Sequence, residues 1–125
     1  MKTTPILLSV DDAAYKIKSF LQEKEFQIFA DIDHHANAKS VELEMPKSRV
    51  IIFGNPFTGT KLMQKDIYIS LDLPIRLAII ENDNKTHLVH LSAEDYARQY
   101  DVEGHPVLEK IEGLFIALID ILADE

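Results

Sequence analysis

Gly54-Asn55-Pro56-Phe57-Thr58-Gly59-Thr60-Lys61 comes within one exchange of a phosphate-binding loop. Such a loop reads G-x-x-x-x-G-K-[ST], its lysine reaching the β- and γ-phosphates while the next hydroxyl holds magnesium. Here Thr60 precedes Lys61, so each group points elsewhere. Pro56 also removes one of the backbone donors that would cradle phosphate. Nucleotide hydrolysis is therefore not the expected chemistry. A weaker form of the idea survives. Gly59, the hydroxyls of Thr58 and Thr60, and Lys61 would sit at a helix N-terminus, where donors and dipole favour an anion. The competing reading is a structural loop whose threonines cap the next helix.

Asp33-His34-His35 is the second candidate. It has the three letters of the DHH phosphoesterases, but those enzymes need further Asp motifs, a longer chain and a two-metal centre. Adjacent histidines on a helix point about 100° apart and rarely chelate one ion together. The expectation is a helix cap at Asp33 followed by surface histidines. A metal site drawn from Asp31, Asp33, His34 or His35 is the sharper alternative. His87 and His90 fall on opposite faces of one strand and do not form a pair. His105 precedes Pro106 in a loop and reads as structural. Asp66 and Asp72 flank Tyr68, without geometry that makes them an acid-base couple.

Composition narrows the classes. The chain has 125 residues, which fits one domain spanning 1–125 with a core of its own. It has no Cys, which excludes disulfides, thiolate metal sites and thiol nucleophiles and fits the cytoplasm. With 21 acids against 13 bases the net charge is −8, which disfavours nucleic acid and anionic membranes as partners. The start carries one lysine and a short apolar patch broken by Pro5, so no signal peptide is expected. No run approaches the ~20 apolar residues that cross a bilayer.

The elements that must position these groups follow from periodicity. Ile6 to Ser9 reads as a strand. Ser9 caps an amphipathic helix over Val10 to Lys24, with Asp11 and Asp12 in its first turn. Phe26 to Ile32 alternates with period two, Phe26, Ile28, Ala30 and Ile32 on one side, Phe29 and Asp31 on the other. Arg49 to Phe53 is the most apolar strand and is expected to be central. A helical turn or two follows from Lys61 to Lys65, then a bend at Leu71–Pro74. Ile75 to Glu81 and Thr86 to Leu91 form a hairpin around Asn82-Asp83-Asn84-Lys85, because Asn and Asp tolerate the left-handed backbone of a tight turn. Ser92 caps a short helix, and a long helix runs from Pro106 to about Leu122. Its apolar positions cover about 160° of its circumference, a stripe that must lie on a sheet. Phe29, Asp31, Arg76, Ala78, Ile80 and either Leu88 and His90 or His87 and Val89 are left for the other sheet face. That face is either solvated or dimer-packed, or the floor of a ligand groove.

These segments together resemble the DUF302 family, a bacterial and archaeal group of uncharacterised domains. The resemblance runs from about Phe20 to about Val102. It is carried by Phe29-Ala30-Asp31-Ile32-Asp33-His34, Ala36-Asn37-Ala38, Ile52-Phe53-Gly54-Asn55-Pro56 with Gly59-Thr60 and Leu62-Met63, and Leu71-Asp72-Leu73-Pro74. His35 departs from the family's usual small residue, and Asn84 from its usual glycine. The resemblance implies an α+β fold of the TBP-like kind, a curved antiparallel sheet with helices packed on one face in two layers, and often a homodimer. A TBP-like fold is not evidence of DNA binding.

The expected function is a non-enzymatic, homodimeric, cytoplasmic domain that binds or senses a small ligand, an anion in its sharpest form. The ligand would lie between Asp33, His34 and Asn37, the loop residues Gly54, Asn55, Thr58, Gly59, Thr60 and Lys61, and the open sheet face. The alternatives are a small metal-assisted enzyme using Asp33 and His34, and a purely structural protein-interaction domain. No cofactor and no resident metal are expected.

Overall fold

The computed structural model describes residues 1–123. Helix α1 (Val10–Glu23) starts where its cap dictates: Ser9 Oγ accepts the Asp12 N–H at 3.1 Å, and Asp11 and Asp12 meet the positive end of the dipole. Its inner face, Val10, Ala13, Ala14, Ile17 and Leu21, is buried. Glu25, with φ 66, ends it in a Schellman turn, its N–H donating to the Gln22 carbonyl and that of Phe26 to Leu21.

Strands β1 (Lys2–Ile6), β2 (Gln27–Asp33), β3 (Ser48–Gly54), β4 (Ile75–Asn82) and β5 (Lys85–His90) form one antiparallel sheet in the order β1-β5-β4-β3-β2. The first strand thus precedes the expected Ile6–Ser9 segment. Strand β4, not β3, is central. The hairpin turn is Asp83-Asn84, with φ 53 and 61, as a two-residue turn requires. Helix α2 (His34–Ser40) follows β2 directly, helix α3 spans Pro56–Lys65, and a 3₁₀ helix covers Ile67–Asp72. Helices α4 (Ala93–Gln99) and α5 (Pro106–Ala123) complete the chain.

Helix α5 buries Val107, Leu108, Ile111, Phe115, Leu118 and Leu122 beside α1, on the sheet face formed by Ile51, Phe53, Ile75, Leu77, Ile79 and Leu88. Phe53 bridges the layers, edge-on to Phe26 at 5.7 Å and to Phe115 at 6.4 Å. The fold is therefore α+β, an open antiparallel sheet with its main helices on one face.

One irregularity changes the faces. The β2–β3 register slips between Ile28 and Ala30, leaving Phe29 as the extra residue. Ile28 still pairs with the buried Phe53, but beyond the bulge Asp31 pairs with the buried Ile51. Asp31 therefore faces the helices, and Ala30 and Ile32 face away, opposite to strict alternation.

Candidate functional site

Helix α3 begins at Pro56, five residues earlier than the expected Lys61, because Asn55-Pro56 is itself a start signal. The Asn55 side chain accepts the Phe57 N–H at 2.9 Å, and Pro56 occupies the first turn, where its missing donor costs nothing. Thr58 Oγ1 donates to the Asn55 carbonyl at 3.1 Å. Gly59 and Thr60 therefore lie inside a helix rather than in a loop.

The inner side of α3 closes a cavity of about 250 Å³ against β4, the Leu73-Pro74 bend and the first half of α5. Its apolar wall is Phe29, Leu62, Met63, Leu73, Val107 and Ile111. Gly54, Asn55, Thr58, Gly59 and Thr60 line it too, so five of the predicted residues share one site. Gly54 is close to Phe29 and Pro74: a β-carbon there would sit 3.9 Å from the Phe29 ring and 3.5 Å from Pro74 Cβ. Among the described residues no Asp, Glu, His, Lys or Arg lines the cavity.

Lys61 does not join them. It is exposed, and its Nζ lies 5.4 Å from the centre of the Phe57 ring. Pro56 lacks a donor and the Asn55 side chain takes the Phe57 N–H, so neither of these two positions has a backbone donor free for an anion.

Asp33, His34 and Asn37 are elsewhere. Gly54 pairs with Gln27 at the start of β2, whereas Asp33 ends that strand opposite Arg49. Strand rise alone separates the two groups by roughly 20 Å. The expected grouping of the two motifs is thus not what the register builds. Asp33 Oδ1 accepts the Ala36 N–H at 2.9 Å and caps α2. His34 and Asn37 are exposed. His35 Nδ1 donates to the Met45 carbonyl at 2.7 Å, tying α2 to the segment before β3. Among the described residues, no three His, Asp or Glu side chains come together as metal ligands would.

The carboxylates singled out in the sequence serve the scaffold. Burial pushes Asp31 up, but hydrogen bonds from Arg49 and Lys18 outweigh it and hold the group below its ordinary value. Arg49 Nη2 reaches Asp31 at 2.6 Å and Nη1 reaches Asp11 at 3.1 Å, pinning α1 to the β2–β3 edge. Asp66 Oδ1 accepts the Tyr68 N–H at 3.0 Å and its Oδ2 the Asp101 N–H at 2.9 Å. Asp72 accepts the Tyr100 hydroxyl, which holds that phenol above its usual range. These two contacts fasten the 3₁₀ segment to the loop before α5, one flank of the cavity. His105 Nδ1 accepts the Val107 N–H at 3.1 Å and caps α5.

The cavity's apolar half, Leu62, Met63, Leu73, Pro74, Val107 and Ile111, was not singled out as a site. Its members carry no polar signature and come from distant segments. The only local hint is Gly59, a small residue on an otherwise ordinary helix face.

The family model described as "Domain of unknown function DUF302" matches residues 2–118. Over 68 residues, 54% of this chain, the sequence is 41% identical to "Fluoride-specific ion channel FluC 1" of Brucella suis biovar 1 (strain 1330), covering 27% of that protein. "Fluoride-specific ion channel FluC 2" of Brucella melitensis biotype 1 is likewise 41% identical over 68 residues, 25% of its length. The match thus spans about a quarter of these relatives. The crystal structure of an uncharacterized conserved DUF302 protein from Bacillus stearothermophilus superposes with a TM-score of 0.72 at 11% identity, covering 98% of this chain and 94% of that one. At that identity the likeness speaks for the fold alone. Among the described residues no helix is long and apolar enough to cross a membrane.

Proposed function

The chain belongs to the DUF302 family, whose description names no activity, and from that premise we propose that the domain binds a small apolar ligand between α3 and α5 without turning it over. The carrying observation is the cavity itself, about 250 Å³ and walled by Phe29, Leu62, Met63, Leu73, Val107 and Ile111. Apolar cavities of ~150 Å³ already accept benzene, so this one suits a bicyclic ring or a medium alkyl chain. Thr58, Thr60 and Asn55 offer a polar rim for one polar end of such a molecule. The described residues of the wall offer no general acid or base, which supports binding over catalysis. In this reading the domain is a cytoplasmic homodimer and the cavity is its sensing element.

A second reading takes its cue from the Brucella relatives, which are named as fluoride channels. There the ligand would be a halide at the start of α3. The exposed position of Lys61 and the capped Phe57 N–H support the apolar ligand instead.

Thermal unfolding in the presence of indole, naphthol and octanol tests the proposal, with fluoride and phosphate as the competing arm. A ligand at a hundred times its Kd stabilises by about 2.7 kcal/mol. Stabilisation by the apolar set, absent in Gly59→Met, is the expected result. Stabilisation by fluoride alone, lost in Lys61→Ala, would sink it, as would indifference to both sets.

A further inference from the structure

We propose that the trough between α4 and α5 docks a basic, amphipathic segment of a partner protein. This site is separate from the cavity under α3 and does not rest on it. The trough has a volume of about 510 Å³ and opens to solvent. Ala93 and Ala97, one turn apart on α4, and Leu108 on α5 give it an apolar floor. Ile116, 61% exposed, extends that floor along α5. From His105 to Ile116 the trough follows about three turns of helix, roughly 16 Å. Glu112 Oε1 accepts the Ala93 N–H at 2.6 Å and ties the two helices together, so the walls are set before anything binds.

Gly113 points the same way. It lies inside the 18-residue helix α5 and lines the trough. Glycine in mid-helix destabilises, because its backbone loses the most freedom on folding. Packing justifies such a residue where a side chain would collide, yet a β-carbon at Gly113 would meet nothing within 4 Å. None of the described residues therefore requires its smallness. A chain from outside, lying in the trough close against α5, does.

Charge selects the occupant. Glu94, Glu103, Glu109 and Glu112 line the trough, and among the described residues no Lys or Arg does. Arg98 pairs with Glu94 at 2.7 Å and Glu112 is engaged at the start of α4, but Glu103 and Glu109 meet no cation among the described residues. A second copy of this chain would bring a net charge of −8 to an acidic surface, and a nucleic acid would bring more of the same sign. A neutral apolar segment would desolvate the carboxylates without pairing them. A metal ion is no better served, because no three of the described acids and histidines converge as ligands. The fitting occupant sets lysine or arginine against Glu103 and Glu109 and one large apolar side chain on Ala93, Ala97 and Leu108. The net charge also draws such a partner in at long range.

Fluorescence anisotropy of the whole chain with a short helical leucine–lysine peptide tests this, against a serine–lysine peptide of equal charge and a leucine–glutamate peptide. The leucine–lysine peptide is expected to bind about tenfold more tightly than either. Glu103→Gln with Glu109→Gln is expected to weaken it about tenfold. Gly113→Leu, which fills the trough, is expected to weaken it at least as much, and neither variant to unfold at a lower temperature. Losing the same charge at the exposed Glu42 and Glu44, which do not line the trough, is expected to change binding by less than about twofold. Equal binding of the serine–lysine peptide, or an equal loss from the Glu42 and Glu44 changes, would reduce the effect to general charge attraction and overturn the proposal. No binding of the leucine–lysine peptide overturns it too. The four glycines report the place directly, since Gly104 and Gly113 line the trough while Gly54 and Gly59 line the cavity. Amide shifts at Gly104 and Gly113 on adding the peptide support the trough. Shifts at Gly54 and Gly59 instead put the peptide in the cavity and overturn it.

Discussion

His90 lies on β5 with its ring stacked on Phe115, 3.7 Å between centroids and 2° from parallel. Its Nδ1 donates to the Leu91 carbonyl at 3.0 Å, and its buried Nε2 has no hydrogen-bond partner among the described residues. Burial is the main reason its pKa falls below 6.5, and it outweighs the carboxylates of Glu112 and Asp95, while Lys2 pushes the same way as burial. The folded state therefore keeps His90 neutral while the unfolded chain protonates. The stability that this contributes is full above about pH 6.5 and drains as pH falls towards the lowered folded value, by up to about 1.4 kcal/mol per pH unit. Urea unfolding of wild type and His90→Phe between pH 7.5 and 5 is expected to show that slope in the wild type and its loss in the variant. The same stability slope in both proteins would refute it. A second residue-scale expectation concerns Arg49, half-buried between Asp31 and Asp11. Arg49→Met is expected to cost about 1–2 kcal/mol by chemical denaturation, less than a fully buried pair because Lys18 still reaches Asp31.

At the scale of elements, the helix ends are where local chemistry and fold agree. Ser9, Asp33 and Ser92 each cap the helix that follows, and all three are readable because a cap needs only its own next three residues. Asn55-Pro56 obeys the same rule and went unread, since the nearby glycine suggested a loop. Gly59, inside α3 with Met63 Cε 4.0 Å from where its β-carbon would lie, has room for alanine. Gly59→Ala is expected to raise stability by about 0.5–1 kcal/mol in thermal or urea unfolding. Glu25, left-handed after α1, makes the reverse case. Glu25→Gly is expected to gain about 0.5–1 kcal/mol by relieving the backbone. A loss with Gly59→Ala would mean that α3 does not run through Gly59 as described, and a loss with Glu25→Gly that the end of α1 is not left-handed there.

At the scale of the whole molecule, two concave surfaces compete for function: an apolar cavity under α3 and an acid-rimmed trough between α4 and α5. They meet opposite sides of α5, Val107 and Ile111 lining the first and Glu109 and Gly113 the second, so each can be changed alone. Gly59→Met is expected to abolish apolar-ligand stabilisation while leaving peptide binding unaltered, and Gly113→Leu to do the opposite. Measured on the same preparations, an apolar-ligand effect lost in Gly113→Leu instead would show that the two are one site.

The hairpin of Ile75–Glu81 and Thr86–Leu91, the wide stripe of α5 and the caps of α1, α2 and α4 were determined by sequence alone, because each is a contest among neighbours a few residues apart. The slip at Phe29 was not, since a bulge depends on what β3 offers across the ladder; it reversed the faces of Ala30, Asp31 and Ile32. Nor was the separation of Asp33 from Gly54, which antiparallel pairing sets at opposite ends of β2. The cavity was decided last and only in three dimensions. It exists because β2, α3, the Leu73-Pro74 bend and α5, distant along the chain, close around one volume without filling it.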